Sequence, residues 1–120
     1  MTPAPAAVLA ALLTRWQHHF DAARPDDLAR LFTEDALFQG FAPAPLLGRD
    51  AVRTYYEHVP PGTRASATVL HAYATGDDLI GGIADVLFTP PTGPDRPARL
   101  SVLARHTGDR WRIRHYHVSG

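Results

Sequence analysis

Asp85 is the residue around which chemistry could be built. It sits in Ile83-Ala84-Asp85-Val86-Leu87-Phe88, a stretch that is apolar on either side of it. A carboxylate in apolar surroundings is costly unless paired, and desolvation raises its pKa. Such a group can serve as a general base or as a neutral hydrogen-bond donor. The structural alternative is an ion pair with an arginine or histidine of an adjacent strand. His115 and His117 are the second candidates. Two residues apart on a strand, they point the same way, and imidazole gains and loses a proton near neutral pH. They could donate a proton or orient a ligand; alternatively they hydrogen-bond across the sheet or to Ser119. His-x-His also suits a metal, but a metal site usually takes a third protein ligand, and no glutamate lies on these strands. No metal and no cofactor is expected. Gly81-Gly82 lies inside a strand pattern and opens no helix, so it is no phosphate loop.

These residues need a scaffold, and the hydrophobic spacing supplies one. Val8, Leu9, Leu12, Leu13, Trp16 and Phe20 recur at intervals of three and four, which predicts a helix over residues 5–23. Pro25 ends it and suits the first turn of a second, short helix, where Asp26 and Asp27 complement the dipole and Leu28, Leu31 and Phe32 are buried. A short strand follows over 36–39, then a Pro/Ala/Gly loop to Gly48, then a third helix over 49–58 burying Val52, Tyr55 and Tyr56. From there the period changes to two. Strands are expected at 64–75, 79–89, 98–107 and 111–118, with hairpin turns at Gly76-Asp77 and Gly108-Asp109. Helices gathered first and antiparallel strands later predict an α+β fold with helices on one sheet face.

A two-residue turn at Gly108-Asp109 sets Leu100, Val102, Ala104 and His106 on one face with Trp111, Ile113, His115 and His117. That set is the more apolar, so it is assigned to the helix-covered, pocket side. Val86 and Phe88 then fall on the face opposite Asp85, where a second sheet would cover them; a homodimer through the sheet is expected.

The 120 residues fit one domain, 1–120. Twelve arginines balance twelve acids, with no lysine, so nothing in the charge favours nucleic-acid binding. The absence of cysteine excludes disulfides and thiolate chemistry and is compatible with the cytoplasm, the expected location. The apolar run at the N-terminus is interrupted by Arg15 and reads as a helix rather than a leader, and no stretch is apolar enough to span a membrane.

Three segments carry a resemblance. Leu31-Phe32-Thr33-Glu34-Asp35-Ala36, Gly48-Arg49-Asp50-Ala51-Val52 and Trp111-Arg112-Ile113-Arg114-His115-Tyr116-His117-Val118-Ser119 resemble, in that order, the second-helix exit, the third-helix start and the terminal strand of SnoaL-like members of the NTF2-like superfamily. The resemblance covers essentially the whole chain. It implies three N-terminal helices packed in the concave face of a strongly curved, mainly antiparallel sheet, and a dimer. The superfamily holds cyclases, isomerases and dehydratases as well as transport factors and assembly modules, so it implies either a metal-free proton-transfer enzyme acting on a polyketide-like or cyclic ketone, or a non-catalytic binding or assembly module. In the first case Asp85 is the base and His117 or His115 its partner. Trp16, Phe20, Phe32, Phe38, Tyr55 and Trp111 are the candidate lining for a small apolar or aromatic ligand. Isomerases of this group carry an oxyanion-binding tyrosine on the first helix; here that helix offers Trp16, a donor through its indole N–H alone, and Tyr55, Tyr56 and Tyr73 are the available hydroxyls.

Overall fold

The computed structural model describes residues 4–120. Helix α1 (Pro5–Asp21) and helix α2 (Pro25–Arg30) precede strand β1 (Phe32–Gln39) and the two-residue strand β2 (Leu46–Leu47). Helix α3 (Arg49–Glu57) follows, then the long strands β3 (Arg64–Ala74), β4 (Leu79–Thr89), β5 (Arg96–Thr107) and β6 (Arg110–Ser119). The six strands form one sheet in the order β2-β1-β6-β5-β4-β3, antiparallel except where β1 runs parallel to β6. The expected α+β class and the placement of helices on one sheet face are observed.

The expected second helix runs too far. The periodicity places Leu31 and Phe32 on it, but the helix ends at Arg30 and Phe32 opens β1. The parallel neighbour takes the backbone over: Ile113 N–H donates to the Leu31 carbonyl at 2.7 Å, and the Arg49 guanidinium holds the Phe32 carbonyl at 2.7 and 3.0 Å. Long-range partners of this kind override helical propensity at a segment end.

One face of the sheet is covered by the helices and carries the core. Its rows read Ile80, Gly82, Ala84, Val86, Phe88 on β4 and Ala98, Leu100, Val102, Ala104 on β5, paired directly across the strands. The inner row of β3 is built mostly from small residues, Ala65, Ala67, Val69, Ala72 and Ala74, against which α1 lies. The approach is closest at Gly82, where a Cβ would stand 2.5 Å from Leu9 Cδ2 and 2.4 Å from the His71 carbonyl. Glycine is therefore required at this position by packing rather than by any ligand. The helix also satisfies the free edge of β3: Gln17 Oε1 accepts from Ala67 N–H at 2.9 Å, and Asp21 Oδ1 from Ala65 N–H at 2.8 Å. Two side chains one turn apart thus shield the edge strand from unwanted pairing.

The terminal strand contains an irregularity that reverses its parity. Leu103 pairs with His115 but Ala104 pairs with Ile113, so Arg114 is an extra residue, a β-bulge. Before it, Ile113 faces the helices; after it, Tyr116 and Val118 do. His115 and His117, assigned to the helix-covered face by simple alternation, lie on the other.

Candidate ligand site

Between α3, the β4–β5 connection and the inner face of the sheet lies a cleft of about 810 Å³. This is the size of a site for a small organic ligand. Phe20 of α1, Tyr55 and Tyr56 of α3, Phe88 of β4 and Tyr116 of β6 contribute its aromatic walls. Each arrives by a sequence rule. Phe20 ends the apolar stripe of α1; Phe88 ends the inner row of β4; Tyr116 is turned inward by the bulge at Arg114. The rings interlock at their edges: Phe20 with Phe88 at 5.6 Å between centroids, Phe20 with Tyr56 at 6.2 Å. Behind Tyr116, Phe38 stacks parallel at 4.4 Å.

The polar groups of the cleft are few and converge. Trp16 Nε1–H donates to the Tyr56 hydroxyl at 2.9 Å from wholly within the core. Indole can only donate, so the Tyr56 oxygen accepts there and its own proton is left for another acceptor. Burial pushes the Tyr56 hydroxyl well above the ordinary tyrosine pKa, against the opposing hydrogen bond from Trp16. Burial does the same to Tyr116, reinforced by Tyr56 and Tyr55. Both are neutral hydroxyls at physiological pH. Tyr55 is held differently: its hydroxyl accepts from Phe41 N–H at 3.2 Å, and its ring lies over Gly40, where a Cβ would come within 2.5 Å. At the rim, His58 Nδ1 donates to the Thr54 carbonyl at 2.8 Å, which leaves Nε2 as the free ring nitrogen. Among the described residues no carboxylate lines this cleft.

The residues singled out in the sequence separate cleanly. Phe20 and Tyr55 stand on the cleft wall. Trp16, Phe32 and Phe38 are fully enclosed behind it. Trp111 lies at the far hairpin, its ring 5.3 Å from that of His106. The sequence reading turns Asp85 toward the pocket, with Val86 and Phe88 outside. The placement is the reverse: Ala84, Val86 and Phe88 face the helices, and Asp85 is on the outer face, its side chain 52% exposed and paired with Arg99 Nε at 2.6 Å. Apolar residues on both sides of Asp85 left the parity of β4 undetermined, and the larger inward demand of Val86 and Phe88 decided it. His115 and His117 line a separate outer depression with Leu37 and Gln39. The three proposed proton-transfer residues thus share the outer face, away from the cleft.

Tyr116, Phe88, His58 and Arg96 are cleft residues that sequence reasoning missed. Tyr116 was hidden by the bulge. His58 and Arg96 flank the proline-rich turns, where periodicity gives no direction.

No functionally curated protein matches the chain by sequence. Solved structures that it resembles share the fold at low identity. A cystatin-like domain of unknown function from Nostoc punctiforme is 17% identical, with a TM-score of 0.84, over 99% of this chain and 78% of that one. A scytalone dehydratase-like protein from Novosphingobium aromaticivorans is 18% identical, with a TM-score of 0.82, over 93% and 80%. A ketosteroid isomerase-like protein from Erwinia carotovora atroseptica is 20% identical, with a TM-score of 0.75, over 95% and 94%. The family profile of the SnoaL-like domain matches residues 13–118, nearly the whole chain, and the protein belongs to that family.

Proposed function

We propose that this protein binds a small, flat, apolar molecule bearing an oxygen acceptor, in the cleft above Tyr56 and Tyr116. The observation that carries the proposal is the aromatic cleft in which Trp16 donates to Tyr56 and Tyr56 pairs with Tyr116, so that one hydroxyl proton of the two tyrosines is left for a ligand. A ligand carbonyl at that point would complete the network, and its rings would lie against Phe20 and Phe88. The test is calorimetric titration with acetylnaphthalene, a flat neutral ketone, on wild type and on Thr54→Trp, which fills the cleft from an exposed wall position. Ligand at 100 times its Kd should also add about 2.7 kcal/mol to stability. Absence of binding, or binding that Thr54→Trp leaves unchanged, would overturn the proposal.

One observation favours a catalytic version. His58, with Nδ1 fixed by Thr54, presents Nε2 as a base at the rim of the same cleft. Proton abstraction next to a ketone polarised by Tyr56 is then available without a metal. Loss of deuterium exchange at the ketone methyl in His58→Ala, with binding retained, would support it; exchange at the uncatalysed rate in wild type would exclude it.

Self-association through the outer face is the second part of the proposal. Leu37, Ile83, Leu87 and Tyr73 remain partly exposed there beside the mutually neutralised Asp85–Arg99 pair. A second copy would cover them without stranding a charge. Sedimentation equilibrium at micromolar concentration should give twice the chain mass, and a monomer would refute it.

A further inference from the structure

The cleft carries a charge of one sign. Arg96 opens β5 directly across from Phe88, at the head of the inward row Arg96, Ala98, Leu100, Val102, Ala104. It is the one arginine on that row and lines the cleft mouth. Its guanidinium carbon lies 3.6 Å from the centre of the Phe41 ring, and Phe41 in turn meets Phe88 edge-on at 5.5 Å. This cation–π seat fixes the plane of the guanidinium while leaving its N–H groups unspent. Seven of the twelve arginines have an acidic partner; among the described residues Arg96 is one of the five without, and of those five it is the one that lines the cleft. No carboxylate lines the cleft walls beside it.

We infer that the ligand of the cleft is an amphipathic carboxylate: a flat apolar body inserted between Phe20, Phe88 and Tyr116, with its carboxylate at the rim on Arg96. The inference rests on the small-molecule reading of the cleft and adds the charge and orientation of what enters. A planar carboxylate matches the fork of a guanidinium, and the pairing is strongest where the cation is pre-set and partly shielded from water by an aromatic ring. The apolar body then takes the site vacated by water, as in any aromatic-lined pocket.

The experiment compares two probes of nearly equal size, naphthoate and the neutral acetylnaphthalene, titrated calorimetrically into wild type, Arg96→Gln and Arg96→Lys. Wild type should bind naphthoate roughly tenfold more tightly than the ketone, the scale of one hydrogen-bonded charge contact. Arg96→Gln should bring the two within about twofold of each other, the loss falling on naphthoate, and Arg96→Lys, a point charge without the planar fork, should keep part of the preference. Raising salt should narrow the wild-type gap. Arg96 is exposed, so unchanged melting of the variants is expected and serves as the folding control. If the ketone binds and naphthoate binds no better, or if Arg96→Gln keeps the preference, the inference falls while the cleft reading stands. If neither probe binds, both fall.

Discussion

Leu37 and Phe38 are consecutive residues of β1, and their fates differ completely. Phe38 is fully enclosed, stacked on Tyr116 and edge-on to Phe32, Tyr55 and Tyr56. Leu37 is about one-third exposed on the outer face beside His115. The difference runs through the whole sheet. Inside, aromatic and aliphatic rows are closed by two helices and the cleft. Outside, ion pairs, histidines and half-exposed aliphatics face solvent. Chemistry that requires shelter from water has a place on the first face and none on the second.

The largest way to break that contrast is to truncate one residue on each face. Phe38→Ala should cost about 3–5 kcal/mol, the range for emptying a packed aromatic site. Leu37→Ala should cost under about 1 kcal/mol in the monomer, because truncation on the outer face opens no enclosed cavity. Urea denaturation of both variants measures the two. Comparable losses would mean that the outer face is as well packed as the core.

Alkaline pH probes the inner face next. In the unfolded chain Tyr56 and Tyr116 ionise near pH 10, their ordinary value, whereas burial in the fold keeps both neutral beyond it. Their stabilising contribution is whole below about pH 10 and is lost as pH rises further, by up to about 1.4 kcal/mol per pH unit for each hydroxyl. Urea midpoints at several pH values between 9 and 11.5 would show this fall. Tyr116→Phe should roughly halve the slope; an unchanged slope would mean that the hydroxyl is open to water.

How far these faces could be read in advance depends on what fixes them. The apolar stripe of α1 and the alternation of β5 contain their own geometry, so helix order, hairpins and the α+β class were legible. Asp85 was not, because Ile83 and Leu87 on its own face are as apolar as Ala84 and Val86 on the other. Tyr116 was not, because a bulge adds one residue without a sequence mark, and Arg114 looks like any strand arginine. The end of α2 was set by two distant partners, the Ile113 amide and Arg49, that no local pattern contains. The site was therefore less legible than the fold: cleft residues come from strand ends and loop flanks, where direction is decided by the neighbours.

Asp85 gives the smallest effect and the most direct test of the partition. In apolar seclusion, Asp85→Asn would alter protonation chemistry and remove ligand binding. On the outer face it does neither. Its partner Arg99 is as exposed as it is, so water screens their attraction and both remain hydrated when the pair is broken. In the monomer, Asp85→Asn should therefore cost under about 1 kcal/mol, fading with salt, as exposed pairs do. The affinity for acetylnaphthalene should be unchanged, since Asp85 does not line the cleft. A stability loss of several kcal/mol, or loss of ligand binding in calorimetry, would return the carboxylate to the working site. It would also require the register of β4 to be shifted by one residue, which would carry Val86 and Phe88 out into solvent.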